Sequence, residues 1–168
     1  MLLSAFSFLG LALTDFSTQH WLAWGLMTLL GFSVASALLA SSSAIMAAAP
    51  KEKAAAAGAI ETMAYELGAG LGIALFGLIL TRSYSATIVL PSGLNETMAQ
   101  QASSSIGEAV SLSQLLPAGV AEALMAAAKA AFTQAHSLVL ATAGVMLLLL
   151  AAGIWRSLAT VTKPQSAL

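Results

Sequence analysis

A chain of 168 residues that is 59% hydrophobic and 8% charged, with a mean hydropathy of +0.90, cannot cover its apolar groups with polar surface. Soluble domains carry about a quarter charged residues, so a bilayer is the natural solvent here. A net charge of −1 with six scattered Lys and Arg residues excludes a nucleic-acid-binding face, and the absence of cysteine excludes disulfides and thiolate metal sites.

The first apolar segment covers about 1–14. At about 1.5 Å per residue it reaches roughly 20 Å, short of the roughly 30 Å hydrocarbon core, and it reads as a helix whose start is missing. No basic residue precedes it, so it lacks the charged leader of a secretory signal peptide. The second segment covers 21–49 and is broken off by Pro50. The third covers about 57–81, and the fourth about 136–155 around the run Val145-Met-Leu-Leu-Leu-Leu150. Each of these three meets the length of about 20 residues that a spanning helix needs. The predicted fold class is all-α transmembrane, with four membrane-spanning helices inside a transmembrane region 1–156.

Loop charges give an orientation. Lys51 and Lys53 lie in the short joint between the second and third helices, and Arg156 and Lys163 follow the fourth. The positive-inside rule makes both places cytoplasmic, so residues 157–168 form a polar cytoplasmic tail while 15–20 and 83–133 face out. Arg82 runs against the rule, and Lys129 lies in a long loop that it weighs less. Trp21, Trp24 and Trp155 fall at span ends, as interfacial aromatic residues do. The outer segment reads as a hairpin: 95–116 is rich in Ala, Ser and Gln, Pro117 interrupts it, and 119–132 is an Ala-rich helix former. Its small apolar residues suit packing on protein better than insertion into lipid. Asn95-Glu96-Thr97 fits a glycosylation sequon and is read as a chance match.

The third helix carries the chemistry. Glu61 and Glu66 stand in a stretch, 58–80, with no Lys, Arg or His. Ionisable groups inside a membrane span are costly, usually face a bundle interior or a watery cavity, and mark ion or proton pathways. Five residues apart, the two acids are separated by about 140° around a helix and cannot share one narrow face. Glu66 lies deeper and is the main candidate for binding a proton or cation; Glu61 lies about a turn from the cytoplasmic end. A carboxylate in low dielectric holds its proton more firmly, and a nearby cation favours its release. That exchange at one site is the physical kernel of a proton-coupled exporter. The alternative for both is pairing with polar groups of other helices. Tyr65 offers an aromatic face to a cation. Gly68, Gly72 and Gly77 lie along the same helix, and Gly68-Ala-Gly-Leu-Gly72 is a small-xxx-small pattern, read chiefly as helix packing. The serines at 41–43 are also read as packing, and His20 and His136 as structural hydrogen-bonders. No Cys, close His pair or phosphate-binding loop is present, so neither a metal site nor an ATP-driven pump is written here.

The run from Ala47 to Gly72, a Pro-plus-charges joint leading into an acidic, Gly-rich helix, resembles the major facilitator superfamily, and within it the fourteen-helix drug:proton antiporters of the QacA/SmvA/EmrB-like group. The resemblance extends to the long outer segment before the fourth helix. It implies that the chain corresponds to the last four helices of such a transporter, and that Glu66, Glu61 and Tyr65 occupy positions used for cationic-drug recognition and proton coupling. It further implies export of cationic and quaternary ammonium compounds across a bacterial inner membrane, driven by the proton gradient with no cofactor and no enzymatic reaction. The partners implied are the bilayer, the drug and the N-terminal transporter half that this chain lacks, without which it is not expected to transport. A reading from another class is a small self-contained four-helix membrane protein acting as an accessory or oligomerising subunit, suggested by a chain that starts with Met and has an even number of spans.

Overall fold

A computed structural model describes residues 1–16 and 18–161. It is all-helical, with no strand among the described residues. The order is α1 Leu2–Leu13, α2 His20–Ala48, a single 3-10 turn Lys51–Lys53, α3 Ala54–Thr87, α4 Glu96–Ser104, α5 Ile106–Ser113 and α6 Ala118–Val161. Three segments are long and apolar enough to cross a bilayer: His20–Ala48, Lys51–Thr87 and Ala118–Ser157; α1 is apolar but shorter. The four apolar helices of the sequence reading are all present.

Two helices are longer than their predicted spans. The third, expected over 57–81, continues to Thr87, and the fourth, expected over 136–155, is the later part of a helix that begins at Ala118. The reason is local. No Pro or Gly separates Thr81 from Thr87 or Phe132 from His136, and Ala-rich chain propagates helix once started. At about 1.5 Å per residue, the 34 residues of α3 extend about 51 Å, well beyond a hydrocarbon core. The outer hairpin expected over 83–133 is helical over most of its length, with α4, α5 and the start of α6. Most of the expected tail, 162–168, lies outside the described residues.

The chain divides into two compact units, Met1–Glu61 with Leu140–Leu168, and Thr62–Val139. In the first, Leu11, Ala23, Leu26 and Leu140 form the buried apolar centre, with Phe8, Ala12, Phe16 and Leu30 against it. Close approach is set by glycine. A methyl group added at Gly144 would lie 2.7 Å from Leu9 Cγ and 3.3 Å from the Ala5 carbonyl oxygen, and one at Gly10 would lie 2.9 Å from Leu26 Cδ1. The buried hydroxyls of Ser4 and Ser33 hydrogen-bond at 2.7 Å and tie α1 to α2. Pro50 ends α2 by denying the ladder an N–H, and Ala49 and Pro50 are extended there.

In the second unit, α4 and α5 pack on protein. Leu124, Ala128, Ala131 and Ala135 form one buried seam of α6, and Tyr84, Ala102, Ala109 and Leu112 bury against it. Spacings of four, three and four place that seam on one helix face. Asn95 caps α4, its Oδ1 accepting from the Met98 N–H at 2.8 Å, and Ser105 caps α5, its Oγ accepting from the Glu108 N–H at 3.2 Å. Asn95 thus serves as a helix cap. Gly93, at φ +104°, makes the turn between α3 and α4 that residues with a Cβ rarely adopt.

The buried Tyr84 hydroxyl donates to the Ala102 carbonyl at 3.0 Å, and Ser85 Oγ donates to the Ser103 carbonyl at 2.6 Å. Tyr84→Phe keeps the ring but leaves a buried carbonyl unpaired, a loss of about 1–3 kcal/mol. Amide hydrogen exchange over Glu96–Ser104 is expected to quicken about tenfold or more. Unchanged exchange there would show that the bond does not hold α4 down.

Candidate functional site

The acidic helix has an unusual surface. Of its 34 residues only Tyr84 is fully buried, while Ile60, Met63, Leu67, Leu71, Ile73, Leu75 and Leu78 are all exposed. Large apolar side chains left bare around a helix mark one that is covered by lipid or by further protein. The helix forms nonetheless because all its backbone groups bond internally, the one arrangement besides a closed barrel that a bilayer permits.

The helical register sorts the candidate residues onto two faces. Glu61, Tyr65, Gly68 and Gly72 follow one another at spacings of four, three and four, and share one face. Thr62, Glu66, Gly70, Ile73 and Gly77, at spacings of four, four, three and four, share another, about 140° away. Each face has one acid followed by small residues.

The two acids have different surroundings. Glu61 is half-buried, and the hydroxyl of Ser42, on α2, donates to Glu61 Oε2 at 3.4 Å. Beside this contact, a methyl group at Gly58 would come 3.3 Å from Met46 Cε, so α2 and α3 approach closely here. Glu66 is exposed, with no hydrogen-bonding or ionic partner among the described residues. Tyr65 is 57% exposed. A methyl group placed on Gly68, Gly72 or Gly77 would meet nothing within 4 Å among the described residues; the glycines that do permit close approach there are Gly10, Gly58 and Gly144. The structure therefore brings Glu61 to Ser42 and leaves Glu66, Tyr65 and the glycine faces open.

Exposed aromatics flank the spans: Trp21 and Trp24, at the start of α2, meet edge to face at 5.3 Å with an interplanar angle of 71°. His136 stacks on Phe132 at 6.1 Å, a packing contact beside the α6 seam. No group of three or more His, Cys, Asp or Glu residues that could hold a metal occurs among the described residues.

The chain is 69% identical, over 95% of its length, to the methyl viologen resistance protein SmvA of Salmonella typhimurium. It spans about a third (32%) of that protein's length, in its C-terminal part. It is also 40% identical over 92 residues, 55% of this chain and 18% of the relative, to the multidrug efflux pump LfrA of Mycolicibacterium smegmatis. No family model matches the chain, and no solved structure does. The resemblance to drug-exporting proteins read from the acidic helix and its joint is borne out.

Proposed function

We propose that this chain forms the last four helices of a proton-coupled multidrug exporter of the major facilitator type, sited in a bacterial inner membrane. The cargo is cationic, including quaternary ammonium compounds and dications such as methyl viologen, and no enzymatic step is involved. The observation that carries this is Glu66: a carboxylate near the middle of a long apolar helix, on a face with small residues and no partner among the described residues. A charge in that position needs an aqueous cavity or protein around it. Similarity to a methyl viologen resistance protein over nearly the whole chain supports a cargo of this class.

On this reading Glu66 alternately holds a proton and a cation. A bound cation favours the ionised carboxylate and expels the proton; a returning proton neutralises the carboxylate and releases the cation. Proton re-entry supplies about 2.3 kcal/mol per charge per 100 mV of membrane potential. Glu61 acts beside the joint, and Tyr65, one turn along the same face, offers its ring to the cation. The open faces of Gly68 and Gly72, and of Gly70 and Gly77, suit close approach by helices of an N-terminal transporter half, on which transport depends. Lys51, Lys53 and Arg156 hold the joint and the C-terminus at the cytoplasmic side.

The test is a chimera in which this chain replaces the corresponding third of the Salmonella protein. The expected result is growth in methyl viologen matching the parent, with the 168-residue chain alone giving none. A chimera that reaches the membrane intact and confers no tolerance would overturn the proposal.

A further inference from the structure

We infer that Ser42 is a positioning residue for Glu61, orienting the carboxylate that meets the cation near the α2–α3 joint; this rests on the exporter reading. The hydrogen bonding of α2 supports it. The other hydroxyls with assigned bonds on this helix are spent elsewhere: Thr28 donates to the Trp24 carbonyl at 2.9 Å, Ser36 donates to the Phe32 carbonyl at 2.8 Å, and Ser33 pairs with Ser4. Back-bonding to the carbonyl four residues earlier is the usual resting place of a helical hydroxyl. Ser42 instead reaches across to Glu61 Oε2.

The placement is also set by the backbone. Ser42 lies eight residues before Pro50, and Glu61 eight residues after Lys53. In an antiparallel helix pair, residues equidistant from the turn meet. The contact of Met46 with Gly58 lies one turn nearer the joint and fixes the same register. Glycine at 58 lets the helices close enough for a short serine side chain to reach the carboxylate.

The chemistry follows from what a free glutamate lacks. Its three side-chain torsions must be ordered before it can meet a cation, and ordering costs free energy. A hydroxyl that orients one carboxylate oxygen reduces that cost and leaves the other oxygen for the cargo. Serine donates its hydrogen to the anion, so it orients Glu61 without neutralising it. Ser42 touches neither cargo nor proton directly.

In the chimera, Ser42→Ala is expected to raise the KM for methyl viologen efflux from everted vesicles about threefold to tenfold, the range of one modest hydrogen bond, with kcat within about twofold. Ser42→Thr, which keeps the hydroxyl, restores the parental KM. In a Glu61→Gln background, Ser42→Ala adds nothing, because the group it orients is gone. An active chimera whose KM is unmoved by Ser42→Ala, or one in which the two substitutions add independently, would overturn the inference and leave the exporter reading standing; an inactive parent chimera would remove both. A measurement without transport guards against a variant that fails to fold. The chain has no cysteine, so Ser42→Cys with Glu61→Cys carries the only two thiols. Dibromobimane, which fluoresces on bridging two thiols, is expected to label that pair and not Ser36→Cys with Glu61→Cys. Equal labelling of both pairs, or of neither, would show that residues 42 and 61 are not neighbours.

Discussion

Glu66→Gln in the chimera is expected to abolish tolerance to methyl viologen, lowering the tolerated concentration at least about tenfold, to that of cells with no exporter. Glutamine keeps the shape and most of the polarity of glutamate but can neither ionise nor exchange a proton, so it removes the cation's counter-charge and the coupling together. A tenfold change corresponds to only about 1.4 kcal/mol, a small demand on a residue that carries both ends of an exchange. Glu66→Asp keeps the charge but withdraws it by one methylene and is expected to retain partial activity. Glu61→Gln is expected to weaken cation binding with a smaller fall in tolerance. Equal losses at both positions would mean that the division of labour between the two faces of α3 is wrong.

The second large effect concerns packing. Gly144→Ala places a methyl group 2.7 Å from Leu9 Cγ and 3.3 Å from the Ala5 carbonyl. Leu9 Cγ is the branch point of its side chain and cannot simply swing aside, whereas the carbonyl contact needs a give of only a few tenths of an ångström. Overpacking of this kind costs about 1–3 kcal/mol, and the contact joins α1 to α6, so the amount of folded protein in the membrane is expected to drop several-fold. Leu9→Ala in the same chain opens the space and is expected to restore much of it. Gly68→Ala and Gly72→Ala provide the contrast. They meet nothing among the described residues, so they leave its thermal unfolding unchanged, and they impair the chimera if another helix packs there. Loss of stability from Gly68→Ala in the isolated chain would show a partner on that face that the structure lacks.

Much of this was legible in the sequence for a simple reason. Spanning helices are long, apolar and bounded by Pro50, by charges and by tryptophans, so composition and length locate them. The acids were equally visible because nothing else in 58–80 is charged. What the sequence reading missed was contact geometry. The Gly68–Gly72 pattern marks a face free for another helix, while among the described residues the tight approaches are at Gly10, Gly58 and Gly144, which stand in no such glycine repeat. A small-residue pattern says that a helix can approach closely, and only the partner's position says where it does. It also treated the serines at 41–43 as undifferentiated packing. The pairing of Ser42 with Glu61 follows from counting eight residues outward from each side of the joint, and Tyr84 with Ala102 from counting nine on each side of Gly93. The sequence marks 119–132 as a helix former, but not its continuity with the span at 136–155, which the structure shows as one helix, its seam 124–135 lying on one buried face.

The exchange at Glu66 can be read without cells. Purified chimera in weakly buffered detergent solution, given methyl viologen, is expected to release protons to the medium, seen with a pH-sensitive dye. The Glu66→Gln variant, folded to the same degree, is expected to release far fewer. Equal release by both proteins would contradict the assignment of proton and cation to this carboxylate.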